Sequence, residues 1–227
     1  MYYELVITIL LKDNIHLENS YEFLSTFLNK GMLQDEKLKE LHQENKFKFY
    51  SYSNLQPLER DKIYKEGRIY YFNLRSIDIS FLGRMKRAIT YKNPYCKVIS
   101  SEIKTCKPKY ISKIVSLSPA VLTIDSGRYW VKEDGLDLIM SRICSNGNKK
   151  YESYYGKEVD KNHIFVESIV QLNNFAIKIP YKNTFLLGNK FEIGIKSDEL
   201  SQAIAKIVLG TNLLEKGSIG CGYCLYK

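Results

Sequence analysis

The chain has 227 residues, enough for one large domain or two small ones, and 44% of them are hydrophobic, ample material for a core. Its 34 Lys and Arg against 25 Asp and Glu leave a formal net charge of +9, which favours a polyanionic partner, nucleic acid or an acidic membrane surface. No apolar run reaches the roughly 18 residues that span a bilayer, the acidic start Met1-Tyr2-Tyr3-Glu4 is unlike a signal peptide, and five scattered cysteines argue against a disulfide framework and for a reducing cytoplasm.

A merely basic soluble protein is the plainer reading of the charge, but 18 Tyr and 10 Phe accompany it. Aromatic faces stack on unpaired bases while lysines track the backbone, the usual chemistry of single-stranded RNA binding.

Tyr3 to Leu11 reads as a buried strand. A helix follows, with Asn19 and Glu22 as a capping box, Phe23, Leu24, Phe27 and Leu28 as its apolar stripe, and Gly31 at its end. Asp35 caps a second short helix with Leu38 and Leu41 facing in and His42 at its end. Lys46 to Ser53 alternates, Phe47 and Phe49 on one face and Lys46 and Lys48 on the other, as in a half-exposed strand. Gly67 marks a turn into the strand Arg68 to Leu74. Asp78 opens a helix with the stripe Phe81, Leu82, Met85 and Ile89; its other side carries Arg84, Lys86 and Arg87. Lys97 to Lys104 returns as a strand, completing the order β-α-β-β-α-β.

The region of Pro108 reads as a junction, dividing the chain into residues 1–108 and 109–227. Tyr110 to Ile124 is a strand interrupted at Ser118-Pro119, where proline implies an edge or bulge. Gly135 to Gly156 is helical, with Ser145-Asn146-Gly147-Asn148 breaking its pattern. Ile164 to Leu172, Phe175 to Ile179 and Thr184 to Lys196 read as strands. Asp198 caps a helix striped by Leu200, Ala203, Ile204, Ile207 and Val208, ended by Gly210, and Cys221 to Leu225 is the last strand. The pattern predicts an α+β protein of two tandem ferredoxin-like domains, a fold that carries many functions.

Between that helix and the last strand lie Gly217, Gly220 and Gly222, with Lys216 and Ser218 among them. Glycines permit close backbone approach and positive φ, so that N–H groups can converge on a phosphate; a connection that binds nothing is the equally plain alternative. The order helix, glycines, strand is neither a P-loop nor a dinucleotide fingerprint. Cys221 and Cys224 form a lone CxxC without a second metal-ligand pair, and no metal or cofactor is expected. Trp130, the only tryptophan, reads as a core anchor, and His16 and His163 as surface residues.

Three segments in order resemble a known family. Leu41-His42 followed by Phe47-Lys48-Phe49-Tyr50-Ser51 is similar to the Leu-His and Phe-x-Phe-Ser block of the CRISPR-associated repeat-RNA endoribonucleases, the sixth numbered family of CRISPR proteins. Leu117-Ser118-Pro119-Ala120-Val121 resembles the Ser-Pro segment that opens their second domain. Asn212 to Gly222 resembles their glycine-rich loop, with Asn212 and Leu214 standing where the pattern has its first two glycines. Many members carry a tyrosine on the first helix; here the matching residue is Phe27, with Tyr21 in a poorer register.

The resemblance implies metal-independent cleavage of repeats in precursor CRISPR RNA by attack of the substrate's own 2′-hydroxyl, leaving a 2′,3′-cyclic phosphate and a 5′-hydroxyl. Such chemistry needs a base or positioning group at the 2′-hydroxyl, an acid for the leaving 5′-oxygen and a cation facing the developing charge. Histidine titrates nearest neutral pH, so His42 suits either of the first two roles; Lys48 or Lys46 suits the third. For RNA binding the residues are Lys216, Gly217, Ser218, Gly220 and Gly222 of the loop and Arg84, Lys86 and Arg87 of the helix. The partners implied are CRISPR repeat RNA, an interference complex of other CRISPR-associated proteins and a second copy of the chain as a homodimer, with no membrane. Two alternatives stand beside the enzyme: a catalytically inactive repeat-RNA-binding protein, and a ferredoxin-like scaffold for protein partners.

Overall fold

The computed structural model describes residues 1–44, 46–124 and 127–227. Asn45, inside the first family-like segment, lies outside the described residues. The first half runs β1 (Tyr2–Leu11), β2 (Ile15–His16), α1 (Ser20–Met32), α2 (Glu36–Gln43), β3 (Tyr50–Tyr52), β4 (Ile63–Tyr64), β5 (Ile69–Ser76), α3 (Ile79–Ala88) and β6 (Cys96–Cys106). The second runs β7 (Lys113–Ser116), α4 (Leu136–Tyr155), β8 (Val166–Gln171), β9 (Ile177–Tyr181), β10 (Thr184–Gly188), β11 (Phe191–Ile195), α5 (Glu199–Gly210) and β12 (Cys224–Tyr226).

Each half holds an antiparallel four-stranded sheet, ordered β3-β5-β1-β6 in the first and β12-β7-β11-β8 in the second. Counting only the strands of these sheets, the orders are 2-3-1-4 and 4-1-3-2, one topology read from opposite edges. This is the expected pair of ferredoxin-like sheets, with a small hairpin, β9–β10, added to the second half. The alternation of β1 is legible in its burial: Leu5, Ile7, Ile9 and Leu11 are buried against Leu24, Phe27 and Leu28 of α1 and Phe81, Leu82 and Met85 of α3.

Caps follow their sequence signals in three helices: the side chains of Asp35, Asp78 and Asp198 accept from the N–H groups of Leu38, Ser80 and Ser201 at 3.1, 2.8 and 2.9 Å. The expected capping box at Asn19 does not form, because Asn19 is itself helical (φ −90°, ψ −5°) and makes no side-chain cap bond. Glu22 reaches instead to the other half, accepting from the Lys182 N–H at 3.1 Å.

Four other expectations change. The strand expected over Lys46–Ser53 shrinks to Tyr50–Tyr52, since Phe49 takes φ +49° and turns the chain before pairing begins. The expected strand Tyr110–Ile124 is confined to Lys113–Ser116, and Pro119 lies beyond it. The long strand Thr184–Lys196 divides into β10 and β11, which pair in separate sheets. The helix α4 runs unbroken through Ser145-Asn146-Gly147-Asn148. A Cβ on Gly147 would come within 2.6 Å of Phe165, so glycine there serves helix–sheet packing, and Asn148 is buried with its amide donating to the His163 carbonyl at 2.9 Å.

The halves form one packed body. Tyr2 and Ile77 of the first half belong to the core of the second. Arg75 of β5, buried, donates to Glu4 and to the carbonyls of Leu209 (3.0 Å) and Cys224 (2.6 Å). Its guanidinium lies over the rings of Tyr2 (4.8 Å) and Tyr223 (4.2 Å), and the Tyr223 hydroxyl donates to Glu4 at 3.0 Å.

Candidate functional site

The three family-like segments converge. The Ser-Pro segment staples the glycine-rich loop: the Ser118 hydroxyl donates to the Gly220 carbonyl and accepts from the Tyr223 N–H, both at 2.7 Å. The Gly222 N–H donates to Pro119 O at 2.9 Å and the Glu215 N–H to Val121 O at 3.1 Å. The segment after α2 forms the facing wall, with β3 packed on the 3-10 turn Gly217–Ile219 of the loop.

Between the walls is a cleft of about 380 Å³, lined by Lys46, Lys48, Lys150, Lys216, Gly217 and Ser218 among others. Two carboxylates, Glu44 and Glu215, line it with four lysines, so the cleft is net cationic and suits a phosphate. Ser218 lines the cleft at the 3-10 turn, whose first N–H groups have no internal partner.

The glycines do a different job from the one read in the sequence. Gly220 (φ +85°) and Gly222 (φ +67°) need the left-handed region, and a Cβ on Gly220 would meet the Tyr52 ring at 2.7 Å. On Gly217 it would overlap Asn212, and on Gly222 the Leu213 carbonyl. The loop is therefore packed tightly against the protein at its glycines, while Asn212, Leu214 and the run Glu215 to Ser218 line the cleft.

His42 sits in the last turn of α2, exposed, two residues before Glu44 of the cleft wall; its side chain does not line the cleft. Its carbonyl accepts from Lys48 Nζ at 3.1 Å, and the same ammonium donates to the carbonyls of Leu41 and Glu44. Lys48 thus caps the C-terminal end of the histidine's helix, where a cation is favoured. Burial lowers its pKa and the nearby Glu44 opposes that shift. Lys46 is exposed beside Glu44 at 3.7 Å, a pair worth little in water.

Arg84, Lys86 and Arg87 do not line the cleft. Arg84 pairs with Asp35 at 3.0 Å, joining α3 to the start of α2, while Lys86 and Arg87 are exposed. Phe27 is buried among Phe72 and Tyr91 in the first core and has no access to the cleft. Tyr21 packs against Gly220, and burial pushes its phenol well above the ordinary value, which disfavours it as a base. Trp130 is a core residue, donating from its indole to Gly135 O at 3.2 Å. His163, expected at the surface, is half-buried with Nε2 at 3.2 Å from the Ser201 hydroxyl. Cys221 and Cys224 are buried free thiols, each pushed up to about 12 by burial.

The residue missed in the sequence is Lys150. It lies two residues beyond the segment read as a break in α4, and its buried ammonium holds the start of the glycine-rich loop. The signal was a helical phase: Ile139, Ile143, Gly147 and Lys150 recur on one face of α4. Among the described residues no helix is long and apolar enough to cross a membrane.

No protein-family model matches the chain. A curated relative from Methanocaldococcus jannaschii, CRISPR-associated endoribonuclease Cas6 2, is 25% identical over 214 residues, covering 85% of this chain and 86% of its own. Among solved structures, the Cas6-related protein of Pyrococcus furiosus aligns with a TM-score of 0.73 at 16% identity, over 100% of this chain and 99% of that one. An RAMP protein binding different RNA substrates aligns with a TM-score of 0.74 at 17% identity, over 99% of both chains. The solved structures establish the double ferredoxin-like fold end to end, and the curated relative extends the agreement to sequence over most of both chains. In sequence over most of its length, and in fold throughout, the chain is similar to the Cas6 CRISPR-associated proteins.

Proposed function

We propose that this protein binds the repeats of precursor CRISPR RNA and cleaves within them as a metal-independent endoribonuclease, then passes the product to an interference complex. The observation that carries the reading is the cationic cleft where the segment after His42 faces the glycine-rich loop, with Lys46, Lys216, Gly217 and Ser218 on its two walls.

The scissile phosphate lies against Lys216 and the Ser218 hydroxyl. The substrate's 2′-oxygen bonds to phosphorus as the bond to the 5′-oxygen breaks. A base takes the 2′-hydroxyl proton, and an acid gives one to the departing 5′-oxygen. His42, two residues before the cleft wall, serves one of these proton transfers, and its contribution is expected in the usual range of about 10²–10⁴ in rate. Lys46, free to turn toward the cleft, faces the charge that develops on the phosphoryl oxygens. Lys48, tied to three carbonyls, acts by positioning the end of the histidine's helix.

A second reading, repeat-RNA binding without cleavage, is favoured by one observation: the His42 side chain does not line the cleft. Incubation of the protein with its host's repeat RNA in EDTA separates the two. Discrete products with cyclic phosphate ends, lost in His42→Ala, support the enzyme. Equal cutting by wild type and variant removes His42 from the chemistry, and tight binding without cutting establishes the second reading.

A further inference from the structure

The midpoint of the site is held by a side chain that no sequence motif includes. Lys150, in the C-terminal third of α4, is 2% exposed. Its Nζ lies 2.6 Å from Asn212 O, 2.9 Å from Asn212 Oδ1 and 3.3 Å from Leu214 O. An ammonium has three N–H donors, and here all three point into one short stretch at the start of the glycine-rich loop. None of the three acceptors is a carboxylate, so this is not an ion pair but a charge buried to bind backbone, an arrangement that costs stability unless it serves something else.

The stretch it holds is strained. Leu214 is not glycine yet sits at φ +64°, and Lys216 follows at φ +61°. A side chain other than glycine, Asn or Asp rarely adopts this region. The Leu214 carbonyl accepts from both Lys150 and the Asn212 amide, the latter at 2.8 Å. Lys150 and the Asn212 amide therefore converge on the turn that leads into Lys216-Gly217-Ser218, while the far side of the loop is held by the Ser-Pro segment.

We propose that Lys150 is the positioning residue that holds the glycine-rich loop in its RNA-facing conformation. The inference rests on the reading of the cleft as the RNA site. It also predicts a proton linkage. Burial lowers the Lys150 pKa to about 7. A bound phosphate favours the charged form, so RNA binding raises this pKa and affinity falls as pH rises through this range. The charged and titratable groups around it are the Cys224 thiol of β12, Glu215 and Lys216 of the loop, and Glu44, Lys46 and Lys48 opposite. Of the elements packed on α4, α5 carries only Glu199 and Lys206 as charged residues and β8 only Glu167.

The test uses full-length protein in a His42→Ala background, which removes cleavage and that histidine's titration, with a synthetic RNA of the host's repeat as probe. Affinity is expected to fall about tenfold from pH 6 to 8.5. Adding Lys150→Met is expected to weaken binding about tenfold at pH 6 and to flatten the profile, with the fold retained by circular dichroism; Lys150→Gln replaces it if the Met variant does not fold. A Lys150 variant that binds as tightly as its parent with the same pH profile overturns the proposal and leaves the RNA reading intact. Absence of RNA binding by the His42→Ala parent, with Lys216→Ala equally inert, overturns the reading of the cleft and the proposal with it.

Discussion

Replacing Arg75 tests how the two halves hold the cleft together. Its guanidinium bridges Glu4 of the first half to the Leu209 and Cys224 carbonyls of the second, with its side chain 3% exposed and that of Glu4 15% exposed. Arg75→Met leaves a mostly buried carboxylate without its partner and two buried carbonyls without a donor. Removing one member of such a pair costs about 3–5 kcal/mol; the contacts with Tyr2 and Tyr223 add about 0.5–2 kcal/mol each, partly recovered by the packing of methionine. For a chain of this size about 1 kcal/mol shifts the melting temperature by roughly 2–4 °C, so a fall on the order of 10–15 °C is expected. Arg75→Met with Glu4→Leu removes the stranded charge and is expected to recover more than half of the loss. Chemical and thermal denaturation of wild type, single and double variants checks both numbers. A single variant within about 1 kcal/mol of wild type, or a double no better than the single, would refute the reasoning that this buried pair joins the halves.

Three further outcomes follow from the site. Gly222→Ala places a Cβ against the Leu213 carbonyl at φ +67°; a loss of about 2–4 kcal/mol by denaturant titration is expected, and a change within about 0.5 kcal/mol would contradict the packing. Lys216→Ala is expected to reduce the slope of log Kd against log salt by about 0.7, the contribution of one phosphate contact on a single strand; an unchanged slope removes Lys216 from the RNA contact. Lys150 also links stability to pH. Its folded pKa of about 7 lies below the ordinary 10.5, so between those values the unfolded chain binds more protons and stability rises with pH, by at most about 1.4 kcal/mol per pH unit. Lys150→Met is expected to abolish that rise, measured by denaturation at pH 7 and pH 9.

Much of the fold was legible because its signals are local. The alternation of β1, the caps at Asp35, Asp78 and Asp198, and the stripes of α3 and α5 each depend on residues within one or two turns of one another. Where reading failed, a distant partner had overruled the local preference. Gly147 and Asn148 resemble a helix break until Phe165 and the His163 carbonyl are set against them. Phe49 and its neighbours alternate like a strand, yet Phe49 turns to pack on Tyr154 of the second half, 5.6 Å between ring centroids.

The sequence by itself determined that the chain is basic and aromatic, that it folds twice in the β-α-β-β-α-β pattern, and that its family-like segments occur in a known order. Only the tertiary structure decided that the segment after His42 and the glycine-rich loop line one cleft while the Ser-Pro segment braces the loop, that Lys48 caps a helix, that the glycines pack inward, and that Lys150 holds the start of the loop. Composition and periodicity record how a residue relates to its neighbours in the chain. A buried ammonium with acceptors more than 60 residues away leaves no such record.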